Sequence, residues 1–443
     1  MKKIIILYCL TIMGFSAFCQ EVTLKECLES AMANDLDLQI KQLEVNKSKG
    51  MVKQANGKFL PTVTMDFESR YNAVIPTQVI PAANEGEEDV LLTFGTNWQQ
   101  NIGINLRQSL LDLSLRSKIN EARLQRNESE MNFQIEENEL KMEVFAAFIK
   151  IYEYTNQLRR LKQDTVRSHI SLMVIKERYS EGKTSRIELN RAVLDHRLIQ
   201  VDYSDSLIKL QQEVSYLAFL TGIEFERILK DGFDFRVFER FNIFQPSFTK
   251  ALDSIAMFKL NAVRQSLVQQ QIRTERSSRL PKIELAGFYG ANQFSDDFNP
   301  IRTDDWFGNS FIGLNVSFPL FGALATRRKV NELEYELEIL VHQKDQELSR
   351  MNREIAQAKI GLANTMTALS YLEESIVLLN ESVSLSRQQL KEGKISAQDL
   401  SLITADLRKS ELAKSIKRSE LIAFHLQLID NSGALDDFLN LIM

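Results

Sequence analysis

Two carboxylates recur at matched places in this chain. Glu188 comes six residues after Gly182, and Asp399 comes six residues after Gly393, each after a Glu-Gly-Lys run. Carboxylates gathered at a constriction select cations or join charge networks, whereas on a solvated helix face they do neither. Other chemistry has less to work with. The histidines are His169, His196, His342 and His425, all within helical stretches where exposed or seam positions account for them. Asp195 and His196 are adjacent in sequence and so do not face each other on a helix. No H-E-x-x-H, P-loop or G-x-S-x-G sequence occurs, which removes the corresponding zinc-protease, nucleotide and hydrolase readings. The residues therefore point to a protein that is not an enzyme, with no catalytic group, no metal site and no cofactor.

Export is the next expectation. Met1-Lys2-Lys3 precedes an apolar run from Ile4 to Phe18, with small residues near Ala17 and Cys19. That order of charge, apolar core and cleavage pattern is a secretory signal over residues 1–19. Acylation of Cys19 is the competing reading, with bulky Phe18 set against it. Cys9 and Cys19 leave with the signal, so Cys27 has no intramolecular partner and no disulfide framework forms. The net charge of −5 becomes more negative without Lys2 and Lys3, which argues against nucleic acid as a partner.

The carboxylates sit in a duplicated frame. Phe59-Leu60-Pro61-Thr62-Val63 answers Arg279-Leu280-Pro281-Lys282-Ile283, and Ile102-Gly103-Ile104-Asn105-Leu106 answers Ile312-Gly313-Leu314-Asn315-Val316. Tyr179-Ser180-Glu181-Gly182-Lys183-Thr184-Ser185 answers Leu390-Lys391-Glu392-Gly393-Lys394-Ile395-Ser396. Matches in the same order define an internal duplication. The expected organisation is a first repeat over 20–222, a linker over 223–246, a second repeat over 247–433 and a tail over 434–443.

Proline and glycine are absent from Leu113 to Glu181, a stretch that as one helix is roughly 100 Å long at 1.5 Å per residue. Its counterpart, Ala323 to Glu392, is interrupted only by Gly361. Shorter helices follow each turn, to Thr221 and to Asn431. Leu369, Leu372, Ile376, Leu379, Val383, Ser386 and Leu390 alternate steps of three and four, as do Val144, Phe148, Ile151, Thr155 and Leu158. That spacing is a coiled-coil seam.

Ahead of each long helix the period changes from helical to two. Val63, Met65, Phe67 and Tyr71 alternate with polar residues over Thr62 to Asn72, and Trp98, Ile102, Ile104 and Leu106 oppose Gln99, Asn101, Asn105 and Arg107. Ile283, Leu285 and Tyr289, then Ile312, Leu314, Val316 and Phe318, repeat this in the second copy. Runs of about ten alternating residues have the length of tilted membrane strands. Ala73 to Thr96 and Gln293 to Asn309, rich in turn residues, are expected to be loops.

Open strand edges cannot face lipid, and the smallest membrane barrels have about eight strands. Four strands per chain thus require oligomerisation, and three chains giving about twelve strands is the simplest closure. The expected fold class is mainly α with membrane β: a trimeric 12-stranded barrel continued by a helical coiled-coil barrel.

In these motifs and their order the sequence resembles the TolC-like outer-membrane efflux protein family, from Thr23-Leu24-Lys25-Glu26-Cys27-Leu28 through Leu428. The resemblance implies a homotrimeric exit duct of a tripartite efflux or type I secretion system, set in outer-membrane lipid with its helices in the periplasm. It implies a periplasmic membrane fusion adaptor and an inner-membrane transporter as partners. By the same resemblance Gly182, Lys183, Thr184, Ser185, Gly393, Lys394, Ile395 and Ser396 form the adaptor-contacting tip. Glu188 and Asp399 then line the pore constriction. A second acid, expected three residues beyond Asp399, is Leu402 here, and Arg191 stands at the matching place of the first copy. The alternative function is a periplasmic coiled-coil adaptor or chaperone, which would not need membrane-length strands.

Overall fold

A computed structural model describes residues 21–80, 90–93, 95–239, 255–302, 306–320, 322–392 and 394–442. The signal segment, Gly393 and linker residues 240–246 lie outside them. The described residues form two compact units that interleave along the chain, one holding 44–130 and 261–343 and the other the remaining segments.

The first unit carries the sheet. Strands β1 (Thr62–Tyr71), β4 (Trp98–Leu111), β5 (Lys282–Ser295) and β6 (Trp306–Ser317) pair antiparallel in the order β1-β4-β5-β6, leaving β1 and β6 as edges. Period-two alternation fixes the two faces, because directly paired residues share a side. The ranks Val63–Leu106–Gly287–Ile312 and Met65–Ile104–Tyr289–Ser310 stand on one face. The ranks Thr64–Asn105–Phe288–Phe311 and Asp66–Gly103–Gly290–Asn309 stand on the other. Val63, Met65, Tyr289 and Ile312 are 62%, 72%, 74% and 76% exposed, so nothing among the described residues covers the apolar band.

Two expected loops are smaller than their composition suggests. β2 (Thr77–Ile80) and β3 (Val90–Thr93) make an antiparallel hairpin of their own inside the first. The second is shortened because β5 runs on to Ser295 and β6 begins at Trp306. Gln293 explains this: its Nε2 donates to the carbonyls of Asn299 and Arg302 at 3.0 and 3.2 Å. Phe298 meets Trp98 at 4.7 Å between ring centres.

In the same unit the end of α2 (Leu36–Gly57) enters β1, and α6 (Ala256–Ser277) enters β5. Helix α6 packs Val268 and Ile272 against Val330, Leu333 and Leu340 of α7 (Ala323–Lys391). Asp112 begins α3 (Leu113–Ser180), its carboxylate accepting from the amides of Ser114 and Leu115, and pairs with Lys282 at 3.4 Å.

The second unit is helical. Thr23 caps α1 (Leu24–Asn34), accepting from Glu26 N–H, and Leu24, Cys27, Leu28 and Ala31 bury one stripe. That stripe joins Val144, Phe145, Phe148 and Ile151 of α3, Leu217 and Leu220 of α4 (Arg186–Thr221), and Ile422 and Ile429 of α8 (Ala397–Asn431). The expected seams hold: Val383 and Ser386 are buried and the other seam residues of α7 half-buried, and Val144, Phe148 and Ile151 are fully buried in α3.

The structure adds three details. Helix α7 passes unbroken through Gly361, because Phe424 of α8 occupies the space its side chain would need, about 2.5 Å from an added Cβ. The linker is not bare connection. It holds α5 (Phe225–Asp231) and a 3₁₀ turn (Arg236–Glu239), and Phe233, Phe235 and Phe238 pack on Phe148. The tail is α9 (Leu435–Ile442), burying Leu435, Phe438, Leu439 and Ile442 at helical spacing.

Candidate functional site

Both hairpin turns are built alike. After α3 the Lys183 amide donates to Arg178 O at 2.8 Å and Gly182 stands at φ +73°. This six-to-one bond closes a helix end that glycine permits and a side chain at Cβ opposes. After α7 the Lys394 amide donates to Gln389 O at 2.9 Å, the same closure. Ser185 and Ser396 then cap α4 and α8, accepting from the amides of Glu188 and Asp399, both at 3.2 Å. Each lysine turns back on the glutamate before its glycine, Lys183 to Glu181 at 2.8 Å and Lys394 to Glu392 at 2.7 Å. These pairs are solvated and contribute little stability. Thr184 and Ile395 hold equivalent, half-buried places.

The two acids are equivalent in position and different in use. The Asp399 carboxylate accepts from both the hydroxyl and the amide of Ser396, at 2.8 and 3.1 Å, completing a capping box. Those hydrogen bonds hold it below the ordinary carboxylate range. Glu188, one methylene longer and half-buried, makes no such bond back to its cap. No hydrogen bond or ion pair among the described residues joins Glu188 to Asp399.

What brings the repeats together is Arg191, whose guanidinium donates to the side-chain oxygen of Gln398, the neighbour of Asp399. Leu402, at Arg191's equivalent place, is 58% exposed. The difference between Arg191 and Leu402 is visible in sequence; the partner, 207 positions away, is not. Among the described residues no group of three or more His, Cys, Asp or Glu side chains could hold a metal, and no helix is long and apolar enough to cross a membrane.

On the polar face of the sheet Asp66 accepts from Asn105 Nδ2 at 2.7 Å and Glu68 pairs with Arg70 at 2.7 Å. A mainly apolar face and a mainly polar one, the latter crossed by Phe288 and Phe311, match the alternation of strands set between lipid and a wet lumen.

The fold is that of solved outer-membrane channels. The chain is similar to the Campylobacter jejuni channel CmeC, with a TM-score of 0.74 at 15% identity over 93% of this chain and 86% of that one. It is similar to VceC of Vibrio cholerae, with a TM-score of 0.75 at 14% identity over 93% and 96%. It is also similar to the open state of the Neisseria gonorrhoeae channel MtrE, with a TM-score of 0.67 at 14% identity over 93% and 89%. Comparison with curated protein sequences gives no match. Residues 27–222, nearly the whole first repeat, match the outer membrane efflux protein family. That match covers less than half of the chain, whereas the likeness in fold to outer-membrane channels extends over 93% of it.

Proposed function

We propose that three copies of this chain close a barrel of about twelve strands and that their long hairpins continue it as a helical duct. The observation that carries this reading is the sheet: β1 and β6 are both edges, and the apolar band is uncovered. An open edge in hydrocarbon leaves backbone groups unsatisfied at several kcal/mol each, so partner copies must supply the missing strands. The helices support the same assembly. Tyr371, Leu378 and Leu385 recur every seven residues on α7 and are 64%, 64% and 54% exposed, a stripe beside the buried seam. Ile187, Leu194, Leu198 and Val201 make a similar stripe on α4. A second copy of the chain covers such stripes.

The duct conducts passively, taking substrate from the periplasm or an inner-membrane pump to the exterior. Repeats 20–222 and 247–433 then supply six similar units around one axis. The turns Gly182 to Ser185 and Gly393 to Ser396 meet a periplasmic adaptor, and Glu188 and Asp399 line the constriction. Glu188 is the stronger constriction residue, because its carboxylate is not spent on a cap. Fractionation tests the reading. The mature protein should sediment with outer membranes and leave them only in detergent; release as soluble protein overturns it in favour of a periplasmic helical hairpin protein.

A further inference from the structure

We propose that His169 and His196 form a binding site for a divalent transition-metal ion of the zinc class, tying α3 to α4 behind the first turn. The imidazoles face each other from the two arms of the hairpin, ring centres 5.4 Å apart and planes inclined at 51°. With metal–nitrogen bonds of about 2.0–2.1 Å and a tetrahedral angle, two imidazoles on one ion have ring centres about 5.2 Å apart. The observed spacing is compatible with a shared ion, as it is with an ordinary ring pair.

Hydrogen bonding prepares one nitrogen for it. Ser168 Oγ donates its single proton to Thr165 O at 3.0 Å and lies 2.8 Å from His196 Nδ1. With that proton on Thr165 O, the hydroxyl accepts from His196 in its Nδ1–H tautomer, the form that offers the Nε2 lone pair to a metal. A ligating histidine held through its other nitrogen is the usual support of a metal site. His169 is exposed and His196 half-buried, so an ion reaches both, and water completes the coordination. Asp164, on the same helix as His169, interacts with Asp195 and with Arg167, Arg408 and Arg160, so its charge is balanced and the two imidazoles are the ligands. The histidines lie at nearly equal chain distances from Gly182, so a bound ion staples the hairpin about 20 Å from its turn.

The test uses the full-length, detergent-solubilised protein, stripped with chelator and titrated with zinc sulfate in a calorimeter. One ion per chain should bind, and the melting temperature should rise with zinc as linkage requires. His169→Gln and His196→Gln should each weaken binding at least tenfold, and Ser168→Ala by about tenfold. Isotherms unchanged in both histidine variants overturn the site, as does failure of the wild type to bind. A second measurement needs no variant: diethylpyrocarbonate labelling read by mass spectrometry should spare His169 and His196 when zinc is present. His342 and His425 should label equally with and without zinc; equal labelling of all four in both conditions overturns the proposal.

Discussion

Arg191 of α4 reaches across to Gln398 of α8, so the starts of the two returning helices, one from each repeat, are joined side chain to side chain. The bond is lopsided. The second repeat offers Leu402 where the first offers Arg191, so each protomer has one such link and no reciprocal one. If these turns form the proposed tip, losing that link should favour its opening.

Arg191→Ala and Gln398→Ala should therefore raise channel conductance in planar bilayers to the same extent, with the double variant no higher than either. An exposed charge-assisted hydrogen bond of about 1 kcal/mol corresponds to roughly a fivefold change in the open population. Additive effects would place the two residues in separate devices.

Gly182 separates turn geometry from partner contact. At φ +73° with open space around it, Gly182→Asn should be tolerated, since Asn visits this region, and Gly182→Val should cost about 1–2 kcal/mol locally. Export assays on the valine variant should fail while trimers remain on native gels. Loss of the trimer instead would make the turn purely structural.

Much of this was legible in the sequence because the signals are local. Absence of proline and glycine bounded α3, period two marked the four strands, and steps of three and four marked the seam that Val383 and Ser386 now bury. What escaped is made by tertiary packing. Pro76 and Pro81 disguised the β2–β3 hairpin as loop, and the aromatics of the linker act through Phe145, Phe148 and Tyr152, which lie far off in sequence. His169 and His196, separated by a turn, gave no motif at all. At Gly361 the long helix continues as its spacing predicts, and the reason for the glycine is tertiary: Phe424 occupies the space a side chain would need.

Gly361→Leu should accordingly destabilise by about 1–3 kcal/mol, as overpacking does, although leucine is the better helix former. Adding Phe424→Ala should restore much of the loss. Thermal melts of the three variants decide it, and a Gly361→Leu protein more stable than wild type would contradict the packing.

Asp164 gives the pH dependence. It is buried on α3, and burial raises its carboxyl above the ordinary range despite Arg167, Arg408 and Arg160 nearby. An acid with a raised folded pKa penalises the folded state above that pKa. The penalty is relieved as pH falls through it and is gone below the unfolded pKa near 3.9. Circular-dichroism melts from pH 7 downward should show this increment in the wild type and lose it in Asp164→Asn. An unchanged profile in the variant would assign the pH dependence to other carboxyls.

The central claim is that this chain completes its membrane sheet only with copies of itself. Native mass spectrometry of the detergent-solubilised protein tests it most directly. A single species of three chains is expected, stable until detergent is removed or the helices melt; a monomer, or a dimer with no trimer, would contradict closure by three copies.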